Sequence, residues 1–202
     1  MGPGRRLRRT SDAARVIEAM TAVDRLGFLP PDQHRFARAD LALRIGSGAT
    51  CSQPSTVERM LHLLGARPGD RVLDVGSGSG WTTALLARLV APGGWVVGVE
   101  IEPDLVEVGR ANLLAAGCSS ARLEQAVPGH VGRPEEAPYD RILVSAEARS
   151  TPSALTDQLA DGGRLVIPVR GVLHVIDRAG GELRDRSVAG TYQFVPLRAA
   201  DD

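Results

Sequence analysis

The stretch "VLDVGSGSGWTT" (residues 72–83) constrains the fold more than any other part of this chain. An apolar run breaks into three glycines at alternate positions, Gly76, Gly78 and Gly80, and then into residues of helical pattern. A buried strand, a glycine turn and a helix are the opening of a βαβ unit, in which the helix crosses back over a parallel sheet. The flanking sequence keeps up the alternation. "TVERMLHLLGA" predicts a helix stopped near Gly65, "DRVLDV" a strand, "WTTALLARLVA" a helix and "GWVVGVE" a second strand. Helix "PDLVEVGRANLLAAG", strands "ARLEQAV" and "YDRILVS", helix "SALTDQLADGG" and strand "RLVIPV" extend it, with Gly162 and Gly163 read as the turn closing that helix onto its strand. The runs "VLHVID" and "TYQFVPL" follow with no helical pattern between them, which predicts an antiparallel edge. The expected class is α/β, a mostly parallel sheet with helices on both faces. Upstream, "SDAARVIEAMTAV" predicts a packing helix with Ser11 and Asp12 as caps, and residues 27–54 read mostly as loop.

In an open sheet of this kind ligands bind beyond the carboxyl ends of the strands, nearest the first strand-to-helix turn. Glycines there let the backbone take positive φ and press against a ligand, while the following helix offers free N–H groups. A tight turn alone asks for one glycine; three alternating ones point to a ligand. The dinucleotide fingerprint needs a glycine or alanine at its sixth position, and counting from Gly76 or Gly78 reaches Trp81 or Thr83 instead. Glu100 ends the second strand at the spacing where such folds set a carboxylate on a ribose diol. A ligand with a ribose and no pyrophosphate satisfies both observations, and S-adenosylmethionine is the common one.

Composition narrows the partners. With Lys+Arg 24 against Asp+Glu 24, the chain has no net charge to draw it to nucleic acid or an anionic membrane. Arg5, Arg6, Arg8 and Arg9 cluster in residues 1–10, which read as a basic, solvated, disordered tail. No apolar run approaches the roughly 18 residues of a membrane span, so the expected location is the cytoplasm. Cys51 and Cys118 make no Cys-x-x-Cys pair, and His34, His62, His130 and His174 are scattered. Neither a disulfide framework nor a metal centre is indicated, and oligomeric state is not legible.

The glycine motif "VLDVGSGSG" resembles the first motif of the protein-L-isoaspartate O-methyltransferase family, and the resemblance covers nearly the whole chain. "AMTAVDRLGFLP", "DLALRIGSGATCSQPSTVERM", "EEAPYDRILV", "LTDQLADGGRLVIPV" and "FVPL" also resemble family signatures, the loop at residues 45–54 being the specific one. The resemblance implies one Rossmann-like methyltransferase domain over residues 11–202 and S-adenosylmethionine as donor. The acceptor it implies is an isoaspartyl carboxylate in a damaged protein or peptide, whose ester collapses to a succinimide that reopens as aspartate. By matching position it makes Ser52 the active-site hydroxyl and Ala49, Thr50, Cys51 and Ser52 the loop over the donor. Gly76, Ser77, Gly78 and Gly80 would cradle the methionine end, and Glu100 with Ile101 beside it would hold the ribose. Cys51 reads as a small packing residue rather than a nucleophile. Trp81, Tyr192 and Phe194 read as core.

Two departures stand against the family pattern. Where it has Gly-Asp-Gly to meet the adenine, this chain has Val127, Pro128 and Gly129. Proline supplies neither the side-chain acceptor nor a backbone donor, a loss of roughly 1 kcal/mol for one neutral hydrogen bond. Glu147 and Arg149 replace small residues in "VSAEARSTP". Two placements of Glu147 are open: facing the pocket, where it would repel a substrate carboxylate, or paired with Arg149 at the rim. The first would imply a divergent enzyme acting on an aspartate in a dedicated peptide. Together with Pro128, Glu147 also motivates a third reading, a donor-binding protein with impaired turnover.

Overall fold

Side chains along the central strands alternate between two buried layers, and that alternation organises the molecule. The computed structural model describes residues 12–127 and 129–198. From the N-terminal side the chain forms α1 (Asp12–Ala22), two 3-10 turns (Arg25–Phe28 and Pro31–Phe36), β1 (Leu43–Gly46), β2 (Ala49–Cys51) and α2 (Pro54–Leu64). It continues through β3 (Arg71–Val75), α3 (Trp81–Val90), β4 (Trp95–Glu100), α4 (Pro103–Ala115), β5 (Ala121–Gln125) and β6 (Tyr139–Val144). The last elements are α5 (Ser153–Thr156), β7 (Leu159–Val169), β8 (Val172–Ala179) and β9 (Glu182–Val188). β1 and β2 pair as a separate antiparallel hairpin. The main sheet has seven strands in the order β5-β4-β3-β6-β7-β8-β9, parallel from β5 to β7 and antiparallel from β7 to β9.

Val72, Val96, Leu143 and Val166 face a layer shared with α1, α2, α3 and α4. Their neighbours Leu73, Val97, Ile142 and Leu165 face the other side, closed by Leu155 of α5 with Val131 and Ala137 of the loop before β6. All eight strand residues are fully buried. At about 1.5–3 kcal/mol per buried aliphatic side chain, both faces must be apolar, which explains strands that read as unbroken hydrophobic runs. α2 shows the matching helical logic. Val57, Met60, Leu61 and Leu64 are buried on one stripe, Pro54 opens the helix, and Gly65 closes it at φ +61° with its N–H donated to Leu61 O.

Four expectations are corrected. The helix predicted over "SALTDQLADGG" is a single turn, because the chain leaves it to pair Leu159 with Tyr139 in β6. Buried Gln158 fixes that exit, accepting from the Arg133 N–H and donating to Val131 O and Ala154 O. Gly162 and Gly163 consequently lie inside β7, at an irregularity in its register, and do not form a helix-to-strand turn. The closing strand is β9, "ELRDRSV", which turns back from β8 through Gly180 and Gly181 at φ +61° and +80°. "TYQFVPL" contributes one isolated bridge, Pro196 with Glu147. Residues 27–54 are more ordered than a loop, holding the end of the first 3-10 turn, all of the second and the β1–β2 hairpin. The basic tail, the Ser11 cap and Pro128 lie outside the described residues.

Candidate active site

β3 has β4 on one side and β6 on the other, so the chain's connections diverge at the carboxyl end of β3. A crevice opens at such a point because the crossovers leave on opposite sides. Here it is a cavity of about 290 Å³. Its floor is Val75, Gly76, Gly78 and the end of β4 at Val99, Glu100 and Ile101. Ser47, Gly48, Ala49 and Thr50, the loop at Ala126 and residues 130–132, and residues 195–198 also border it.

The glycine turn holds its shape through its own backbone. Gly76, Gly78 and Gly80 all have positive φ, at +74°, +53° and +92°. Gly76 N–H and Ser77 N–H both donate to Val99 O, tying β3 to β4. A Cβ at Gly78 would lie 2.9 Å from Ile45 Cδ1, and one at Gly80 would meet Gly109 O of α4 at 3.3 Å. Conformation is thus the main demand for glycine in this turn, and at Gly80 the Gly109 carbonyl adds to it.

Glu100 is 6 % exposed and accepts three backbone N–H groups. Gly78 donates to Oε2 at 2.8 Å, while Ile101 and Glu102 donate to Oε1 at 2.8 and 3.0 Å. The acid thus clamps the turn and still borders the cavity, with one lone pair of Oε2 left to accept from a hydroxyl. Beneath it Asp74 is fully buried, its Oδ2 accepting from the Thr82 and Thr83 hydroxyls at 2.7 Å each. Burial pushes the Asp74 carboxyl up to about 6, the two threonines opposing and the nearby Glu100 charge adding to the rise. Asp74 Oδ1 and Ser77 Oγ, both buried, have no hydrogen-bond partner among the described residues.

Of the residues singled out in the sequence, Ala49, Thr50, Gly76, Gly78, Glu100 and Ile101 border this cavity. Gly80 is the N-cap of α3, Ser77 is buried in the turn, and Gly129 lies in the loop after β5 at φ +71°. Ser52 and Cys51 border a smaller adjoining space with Ser77, Ser79 and Trp81. Ser52 also borders an outer groove of about 360 Å³, between residues Leu41, Gln53 and Thr56 and the segment from Thr191 to Val195. Thr50 and Ser145 border all three spaces. Cys51 is buried, with its thiol pushed up by burial, in keeping with a packing role.

Glu147 takes neither of its two expected placements. Its Oε2 accepts from the Gly171 N–H at 2.9 Å, bracing the β7–β8 turn, and Arg149 meets Arg170 through its carbonyl. The Glu147 main chain pairs with the C-terminal segment, donating to Val195 O and accepting from Leu197 N–H. Tyr192 and Phe194 pack against the core from that segment, and they also border the outer groove. Trp81 is 4 % exposed, and its Nε1–H donates to Val23 O.

Sequence reasoning passed over Ser145, His130 and Arg198, each of which borders the main cavity. Ser145 follows the carboxyl end of β6, a position that the strand order would have marked. Arg198 carries no such signal; its ion pair with Glu102 joins the C-terminal segment to the start of α4 only in the folded chain.

This sheet, with an acid on the second strand gripping a glycine turn beside a cavity sized for a nucleoside, defines a Rossmann-like S-adenosylmethionine-dependent methyltransferase. The family model described as protein-L-isoaspartate(D-aspartate) O-methyltransferase matches residues 5–201, and the chain belongs to that family. The protein-L-isoaspartate O-methyltransferase of Aeropyrum pernix is 45 % identical over 188 residues, covering 91 % of this chain and 72 % of the relative. That of Anaeromyxobacter dehalogenans is 45 % identical over 189 residues, covering 91 % and 88 %. Among solved structures, a putative protein-L-isoaspartate O-methyltransferase from Plasmodium falciparum in complex with S-adenosyl-L-homocysteine superposes with a TM-score of 0.78. It is 26 % identical, with 94 % of this chain and 91 % of that one covered. Another protein-L-isoaspartate O-methyltransferase gives a TM-score of 0.82 at 25 % identity; 92 % of this chain matches it, spanning 62 % of that chain's length. Among the described residues no helix is long and apolar enough to cross a membrane.

Proposed function

We propose that this chain methylates the carboxylate of isoaspartyl residues in proteins and peptides, with residues 49–52 presenting the acceptor to a donor held on the glycine turn. The observation that carries the residue assignment is the meeting of the donor-sized cavity and the outer groove at Thr50 and Ser145. When bound, S-adenosylmethionine supplies a methyl group on a positively charged sulfur. The protein's own part is binding, aiming and drying. Gly76, Ser77, Gly78 and Gly80 line up backbone against the methionine end, Glu100 accepts from a ribose hydroxyl, and Ile101 packs beside it. The loop after β5, with Gly129, borders the adenine end.

Ser52 donates a hydrogen bond to the acceptor carboxylate from the groove side. A carboxylate with an ordinary pKa of about 4 is already ionised at neutral pH, so no side chain has to remove a proton. The remaining requirement is geometric: holding the oxygen about 3 Å from the methyl carbon, in line with the sulfur, behind walls that exclude water. The apolar residues Val75, Val99, Val131 and Ala146 around the cavity suit that task. Glu147, bound to Gly171, gives no support to an altered acceptor. The free thiols Cys51 and Cys118 suit a reducing compartment, and the cytoplasm is where we place the activity.

The test is incubation with methyl-labelled donor and an isoaspartyl peptide beside its aspartyl twin. Label in the isoaspartyl peptide alone is expected. Label in neither rejects the proposal, and label in the aspartyl twin replaces it with a dedicated acceptor.

A further inference from the structure

Arg25 is a charged side chain only 4 % exposed. It begins the first 3-10 turn, which Asp24 caps by accepting from Leu26 N–H at 3.0 Å. The guanidinium is spent on backbone. Nη1 donates to Ala39 O at 3.2 Å, and Nη2 to Leu41 O, Cys51 O and Ser52 O at 2.7, 2.8 and 2.9 Å. Nε donates to Cys51 Sγ at 3.4 Å. Oriented carbonyl dipoles therefore meet the buried charge, and each is held in place by it in return. The same guanidinium lies 5.4 Å from the centroid of the Trp81 ring, and Trp81 bonds back to Val23. Trp81 is the first residue of α3, directly after Gly80.

Arg25 thus joins the two halves of the site. On one side it grips both ends of the β1–β2 hairpin, residues 39–41 before it and 51–52 after it. On the other it rests on the residue that follows the glycine turn. None of its contacts reaches Glu100, and Arg25 does not border the main cavity. Resting on the reading of residues 49–52 given above, we propose that Arg25 is a positioning residue that sets the acceptor loop against the glycine turn. It governs methyl transfer more than donor binding, because the bonds that hold Glu100 to the glycine turn are not its own.

A lysine keeps the charge but has one nitrogen, so it loses the separate contacts of Nη1 with Ala39 O and Nε with Cys51 Sγ and the planar face over Trp81. Arg25→Lys is expected to lower kcat on an isoaspartyl peptide by about ten- to a hundredfold, the scale of a displacement near 1 Å in a transfer geometry. Calorimetric affinity for S-adenosylhomocysteine should fall far less, by no more than about threefold, since the bonds between Glu100 and the turn are kept. A role confined to folding would instead lower donor affinity and kcat together, and that result overturns the proposal. So does a kcat within twofold of the parent protein. If Arg25→Lys does not fold, Cys51→Ala decides, because it removes one acceptor and little volume. A fall in kcat of about two- to fivefold at unchanged donor affinity supports the assignment, whereas an unchanged kcat refutes it. The parent protein, run alongside, separates the two levels. Failure of the parent to label any isoaspartyl peptide condemns the functional reading, while an active parent with an equally active Arg25→Lys condemns this inference alone.

Discussion

Glu100→Gln probes the clamp on which the proposed donor site rests. The carboxylate collects N–H groups from Gly78 on one oxygen and from Ile101 and Glu102 on the other. A glutamine has one accepting oxygen. Its cheaper orientation keeps that oxygen on Ile101 and Glu102 and turns the NH2 toward the Gly78 N–H, so two donors face each other. The lost charge-assisted bond costs about 1.5–3 kcal/mol, and the two retained bonds, now to a neutral acceptor, lose about 1 kcal/mol between them. With a total near 3 kcal/mol, a chain of this size should melt about 6–12 °C lower. Donor affinity should suffer separately, because the turn loses its anchor at Gly78 and the ribose its charged acceptor. One such contact corresponds to a fall of about ten- to a hundredfold in S-adenosylhomocysteine affinity. Calorimetric titration and thermal denaturation of the two proteins measure both quantities. A variant that binds within twofold of the parent and melts within about 1 °C of it would refute the reasoning that this acid grips turn and ribose together.

Ser52→Ala is expected to lower kcat on an isoaspartyl peptide by about tenfold or more, with S-adenosylhomocysteine affinity unchanged, since Ser52 borders the groove and not the donor cavity; parallel loss of both would move Ser52 to the donor side. Asp74 sets a pH dependence. The folded chain holds this proton up to about pH 6 and the unfolded chain releases it near the ordinary value of 3.8. The stability associated with the proton is therefore greatest below about pH 4 and declines as pH rises toward 6. Asp74→Asn keeps an acceptor for both threonine hydroxyls, so the variant should lose that decline and gain on the order of 1–3 kcal/mol at pH 7, checked by urea denaturation across pH. Identical pH profiles would show that Asp74 does not titrate in this range. Glu147→Gln should lower the melting temperature by a few degrees through its weakened bond to Gly171, leaving peptide KM within about twofold; a strong KM effect would return Glu147 to the acceptor site.

The sheet was legible in the sequence wherever burial on both faces demanded an unbroken apolar run, as at Val72–Leu73, Val96–Val97 and Ile142–Leu143. The glycine turn was legible too, because positive φ at three alternate positions leaves few other residues a place. Local signals of that kind depend on neighbours in the chain. β9 escaped notice because an exposed edge strand carries charges on both faces and borrows its order from β8. The last helix was misread because its residues have helical spacing, and only the demand for pairing at Tyr139 and the bonds of buried Gln158 pull the chain straight.

Sequence alone determined the mostly parallel sheet, the glycine turn at residues 76–80 and the strand that ends on Glu100, since each follows from hydrophobic period or backbone freedom within a few consecutive residues. Tertiary structure alone decided where Glu147 points, which residues of the C-terminal segment wall the cavity, and that Arg25 sits buried among carbonyls from two distant stretches. Those contacts join positions far apart in the chain, and a side chain's partners across such distances are set by how the layers pack, which no local pattern encodes.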